Sequence, residues 1–70
     1  MGKGFVFTET VITSIEPKRA FKTAEECLVD LRLVENRKEA FAWVYEYEVS
    51  GEMGKIAKFL GRIKGLESIN

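Results

Sequence analysis

The residues of this chain best suited to binding chemistry are aromatic, because the usual catalytic and metal-binding residues are scarce. The sequence contains no histidine and one cysteine, Cys27. Without histidine, the commonest general acid–base and the cysteine–histidine pairs of nucleophilic and zinc sites cannot be assembled. The sequence therefore predicts no catalytic residue, no metal site and no cofactor, and we do not expect an enzyme.

Aromatic side chains recur at every second position between residues 40 and 50, a period that is typical of a β-strand. This aromatic row consists of Phe41, Trp43, Tyr45, Tyr47 and Val49, with Ala42, Val44, Glu46 and Glu48 on the opposite face. If the row faces inward, it forms the core, where large apolar side chains usually lie. If it faces outward, it is a platform for a partner strand, a second sheet or stacked bases.

A second candidate group is basic. Lys55, Lys58 and Arg62 share one stripe of a predicted helix, and Lys64 lies near its end. Such a stripe is usually the solvated side of an amphipathic helix. Its functional interpretation is a contact with an acidic protein surface or with a phosphate backbone.

Two segments resemble known families. The run Phe41, Ala42, Trp43, Val44 resembles the centre of the third-strand signature of the RNA recognition motif. That resemblance implies aromatic stacking on single-stranded bases. Residues 50–70, with a glycine-containing turn, an amphipathic helix and the ending Gly65 to Asn70, resemble the loop and first helix of amino-acid-binding ACT domains, which implies regulation by a small ligand.

The elements that must position these residues begin with a strand at about 4–14, rich in β-branched and aromatic residues. Pro17 is suited to a first helical turn, so we place a helix at about 17–27. A strand at about 28–35 and a hairpin turn at 35–39 follow. The alternative continues the first helix to Leu33, because residues 29–34 fit both periods.

The aromatic row then forms a strand at 40–50. Ser50 or Gly51 is the predicted cap of a second helix, and Gly65 its predicted end. The apolar stripe of this helix is predicted to be Met53, Ile56, Ala57, Leu60 and Ile63. Residues 66–69 are predicted to add a short final strand.

This order predicts an α+β fold of the ferredoxin-like βαββαβ type, with an antiparallel sheet and two helices packed on one face. Seventy residues with 46% hydrophobic content are expected to form a single α+β domain over residues 1–70. So small a core favours a partner that covers more apolar surface.

Composition also bears on partners and location. The formal net charge is zero, so no overall field attracts nucleic acid or a membrane. We expect neither a membrane span nor a signal peptide, and we expect Cys27 to be buried in a cytoplasmic protein. Abundant glutamate and lysine with no glutamine is a bias found in heat-adapted proteins.

The leading hypothesis is a non-enzymatic interaction module. It is expected to be a homodimer or small subunit that contacts its partner, a second copy or another protein, through sheet surface or a sheet edge. The second hypothesis is single-stranded nucleic-acid binding through the aromatic row and the basic stripe. The third is a ligand-sensing regulatory domain.

Overall fold

A computed structural model describes residues 6–69 of the chain. Its elements are β1 (Phe7–Thr13), α1 (Pro17–Cys27), β2 (Asp30–Glu39), β3 (Ala42–Gly51) and α2 (Met53–Ile69). The strands form an antiparallel sheet in the order β1-β3-β2. The predicted α+β class is confirmed, and the first two residues of the predicted first strand lie outside the described residues.

Both helices cover the same face of the sheet. Helix α1 packs against β2, α2 packs against β1 and β3, and the helices contact each other. Val11 of β1 lies opposite Tyr47 of β3, and both are buried in one cluster with residues of the two helices. The buried side chains of this cluster are Val11, Ile15, Ala20, Ala24, Cys27, Tyr47, Val49, Ile56, Phe59 and Ile63. The predicted burial of Cys27 is confirmed.

The predicted bounds of the first helix, 17–27, are confirmed. Pro17 occupies the first turn, where its missing N–H leaves no internal hydrogen bond unmade. Leu28 ends the helix in the left-handed conformation, with φ 61° and ψ 43°. The amide of Val29 donates to the carbonyl of Ala24, and that of Leu28 donates to Glu25. This pair of bonds is a Schellman motif, so the alternative of a helix continuing to Leu33 is wrong.

Leu28 is an unfavourable residue for that turn. Its Cβ is strained at positive φ, and its side chain is 72% exposed, so it gains little from burial. We expect Leu28→Gly to raise the free energy of unfolding by about 0.5–1 kcal/mol, measured by urea titration. Leu28→Ala keeps the Cβ and should leave stability near that of the wild type. Equal stability of the glycine and alanine variants would contradict the strained turn.

The second strand is longer than predicted. Strand β2 continues to Glu39, and the turn is formed by Ala40 and Phe41 instead of residues 35–39. The polar residues of this stretch are accommodated because Arg37 forms ion pairs with Glu35 and Glu39 along the strand. A register shift between Leu33 and Glu35 marks a bulge. The predicted end of this strand is wrong because a charged strand and a polar turn have the same composition.

The predicted final strand is also wrong, because residues 66–69 belong to α2. Ser50 and Gly51 are the last residues of β3, and the first turn of α2 begins with a bond from the amide of Ile56 to the carbonyl of Glu52. Gly65 does not end the helix. Leu66 packs partly against the core, and the hydroxyl of Thr13 donates to the carboxylate of Glu67, so tertiary contacts sustain this last turn.

The buried stripe of α2 differs from the predicted one. It consists of Ile56, Phe59 and Ile63, with Leu60 partly buried. Met53 is 58% exposed and Ala57 is exposed, although both belong to the predicted stripe. Within residues 6–69, neither helix is long and apolar enough to cross a lipid bilayer.

Candidate interaction surface

The aromatic row of β3 is divided between core and surface. Its members share one side of the strand, and that side faces the helices, because Tyr47 and Val49 are fully buried. The cover weakens toward the start of the strand: Tyr45 is half-buried, Trp43 is 50% exposed and Phe41 is 100% exposed. The prediction that the row lies on one strand face is confirmed for positions 43–49, whereas Phe41 lies in the turn before it.

This division follows from the length of β1. Thr13, the last residue of β1, lies opposite Tyr45, so residues 42–44 of β3 pair with β2 alone. We call the two-stranded ribbon of residues 37–44 the arm. Isolated two-stranded ribbons are only marginally stable in water, so this part of the sheet is the one most in need of further contacts.

The tip of the arm presents its aromatic side chains without a partner. Ala40 has φ 54°, a conformation in which glycine is preferred, and it turns the chain so that Phe41 is fully exposed. Trp43 lies directly opposite Lys38, so the two side chains share a face. Within residues 6–69, no ring contact involves Phe41 or Trp43.

Two further apolar residues are exposed near the base of the arm. Val34 lies within the bulge of β2 and Leu33 precedes it, and both are exposed to solvent. The sequence predicts that both residues belong to the second strand. It does not predict their exposure, because the sequence does not indicate how much of that strand the helices cover. Together with Phe41 and Trp43 they make the β2–β3 hairpin the part of the described sheet with the most exposed large apolar side chains.

Tyr47, predicted as a binding residue, is a core residue. Its hydroxyl donates a hydrogen bond of 2.9 Å to the carbonyl of Ile15. Its ring packs edge-on against Phe21 and is stacked with Tyr45, in each case with 6.2 Å between ring centroids. Burial, with a smaller contribution from Tyr45 and Glu16, raises the pKa of Tyr47 well above its usual range. Tyr47 therefore supports the sheet from inside and cannot bind a partner there.

The open face of the sheet, away from the helices, is predominantly acidic. Arg32 and Glu48 form a cross-strand ion pair of 2.5 Å on this face. The other charged residues in register with them are Asp30, Glu35, Arg37, Glu39 and Glu46. Acidic side chains thus outnumber basic ones, and no aromatic residue of the described strands shares this face. Such a surface repels phosphate and offers nothing on which bases stack.

The predicted basic stripe is largely paired with acidic side chains. Arg62 donates to Glu26 at 2.6 Å and so joins α2 to α1, and this hydrogen bond raises the pKa of Arg62. Lys55 lies 3.8 Å from Glu52. Lys58 is exposed and forms no ion pair with another described residue. Within the stripe, Arg62 therefore links the two helices, whereas Lys55 pairs with a residue next to its own helix.

The described part of the chain contains few groups that could form a metal site or another polar site. No group of three or more acidic or cysteine side chains among residues 6–69 is placed to hold a metal ion. Every buried side-chain nitrogen and oxygen described has a hydrogen-bond partner. No protein-family model, no curated protein and no solved structure matches this chain.

Proposed function

We propose that this protein is a non-enzymatic interaction module that associates with a second copy of itself through the β2–β3 arm. The observation that carries the proposal is the exposure of Phe41 and Trp43, 100% and 50%, at the tip of a ribbon that only two strands support. Exposed aromatic clusters of this kind mark contact sites, because covering them removes apolar surface from water.

The size of the chain favours a second copy as the partner. A domain of seventy residues buries about 60% of the surface that its unfolded chain exposes, so it has much to gain from association. A second copy carries the same exposed residues and is always present at the same concentration. Two-fold dimers are also the commonest oligomers. We further interpret the fold as a ferredoxin-like arrangement without its closing strand, in which β1 and β2 are the outer strands of the described sheet.

Nucleic-acid binding and ligand sensing have less support. Among the residues proposed for base and phosphate contacts, Tyr47 is buried, and Lys55 and Arg62 are engaged with Glu52 and Glu26. The segment that resembles the ACT domain continues as helix through residues 66–69. Both functions would need surfaces other than the ones predicted for them.

The proposal is tested by sedimentation velocity across micromolar concentrations. We expect the wild type to associate and the double variant Phe41→Ser, Trp43→Ser to sediment as a monomer. The double substitution should raise the dissociation constant by more than about tenfold. Tryptophan and phenylalanine at the centre of an interface each contribute more than about 1.4 kcal/mol.

Ile12→Ser is the matched control, because Ile12 is also exposed and apolar but lies on the open face opposite Glu46. It should associate like the wild type. A wild type that remains monomeric, or a double variant that associates as well as the wild type, contradicts the proposal. Quenching of Trp43 fluorescence by a single-stranded oligonucleotide, weakened by salt, would point to the nucleic-acid hypothesis instead.

A further inference from the structure

An open groove of about 470 Å³ lies between α1 and β2. Its apolar lining includes Phe21, Val29 and Leu31. The groove exists because the left-handed turn at Leu28 sends the chain directly from α1 into β2. Strand β2 is at the edge of the described sheet, so no further strand closes the groove from that side.

Charge is distributed unevenly along this groove. Lys18 and Lys22 line it on α1, and Glu25 lines it near the end of that helix. Asp30, the first residue of β2, also lines it and lies where the groove borders the open face of the sheet. Both acidic residues are exposed, and neither forms an ion pair with another residue in the 6–69 range. The groove thus has an apolar lining and one acidic end.

The tip of the arm has the complementary properties. Phe41 and Trp43 provide apolar side chains, and Lys38 lies beside Trp43 on the same face. Lys38 is exposed and forms no ion pair with another described residue. An aromatic tip with one free positive charge fits an apolar groove with free negative charges at one end.

The tip cannot reach the groove of its own chain. Asp30 begins β2 at the groove and Glu39 ends it at the tip. At about 3.3 Å per residue these ends are about 30 Å apart along a rigid strand. An arm tip that enters the groove must therefore belong to another molecule.

We infer that the groove between α1 and β2 receives the arm tip of a second copy, with Phe41 and Trp43 against its apolar lining and Lys38 beside Glu25 and Asp30. This inference rests on the proposed self-association. A two-fold dimer makes this contact twice, with the two β2 edges antiparallel, so that each copy contributes both a tip and a groove to the interface.

The test is a charge exchange between tip and groove, read by sedimentation. Glu25→Lys with Asp30→Lys should weaken association about tenfold or more, because Lys38 of the second copy then meets like charge. Adding Lys38→Glu to this double variant should restore most of the affinity. All three residues are exposed, so the variants should fold, and urea unfolding under monomeric conditions verifies this.

Lys58→Glu added to the same double variant is the control, because it makes the same charge change on α2 and should restore nothing. If the groove variant associates like the wild type while the Phe41, Trp43 variant is monomeric, the groove assignment is wrong and the proposed function stands. Failure of Lys38→Glu to restore affinity also contradicts the groove. A wild type that remains monomeric contradicts both the groove assignment and the proposed function.

Discussion

Phe59→Ala is expected to lower the free energy of unfolding by about 3–5 kcal/mol, the range for truncating a buried phenylalanine. Phe59 is fully buried on α2, between Ile56 and Ile63 of the same stripe, within the cluster that joins helices and sheet. A domain of seventy residues has a total stability of only about 4–10 kcal/mol. The variant should therefore unfold at a much lower urea concentration, or be largely unfolded without urea.

Met53→Ala is the matched comparison for this prediction. The sequence pattern places Met53 in the apolar stripe of α2 and omits Phe59, whereas the structure exposes the first and buries the second. Met53→Ala should change stability by less than about 0.5 kcal/mol. All variants are measured at one protein concentration, because self-association adds to apparent stability. A larger loss from Met53→Ala than from Phe59→Ala would contradict the observed orientation of α2.

The elements that could be predicted are those whose signals are local. Pro17 fixes the start of α1, and alternation along β3 identifies the strand without reference to the rest of the chain. The end of α1 was harder, because residues 29–34 fit a helix and a strand equally well. The Schellman motif at Leu28 decides it, and leucine in the position that usually takes glycine gives no sequence signal.

The elements that could not be predicted depend on distant contacts. Gly65 reads as a helix end, yet Leu66 and Glu67 find partners in the core and at Thr13, so α2 continues. The charged residues 35–39 read as a turn, yet the ion pairs of Arg37 allow them to extend β2. The first error added a strand that does not form and the second shortened one that does, and in both cases tertiary contacts override the local signal.

The alternation in the sequence predicts that Phe41 and Trp43 belong to one row of side chains. It gives no information about which end of the row the helices cover. That division is set by Thr13, where β1 ends opposite Tyr45. The groove between α1 and β2 has no sequence signature, because its lining comes from a helix and a strand that only the fold places side by side.

Tyr47→Phe is expected to lower the free energy of unfolding at pH 7 by about 1–3 kcal/mol. The hydroxyl of Tyr47 donates to the carbonyl of the buried Ile15, and phenylalanine leaves that carbonyl without its partner. The bond links β3 to the connection between β1 and α1, so its loss should also loosen the approach of the chain to Pro17.

The same variant should change how stability depends on alkaline pH. Burial raises the pKa of Tyr47 in the folded state, whereas in the unfolded chain it has the ordinary tyrosine value of about 10. Below pH 10 the group is protonated in both states and stability is unaffected. Above pH 10 only the unfolded chain releases this proton, so the group lowers stability by about 1.4 kcal/mol per pH unit until the folded form ionises too.

Tyr47→Phe lacks this proton, so the stability difference between wild type and variant should shrink as the pH rises above 10. Comparing the two proteins isolates this effect, because they differ only at position 47. Tyr45→Phe retains Tyr47 and should keep the alkaline loss of the wild type. Urea unfolding at pH 7, 9, 10 and 11 measures the difference. A constant difference over this range would mean that Tyr47 is open to water in the folded protein, and the buried centre of the aromatic row would have to be abandoned.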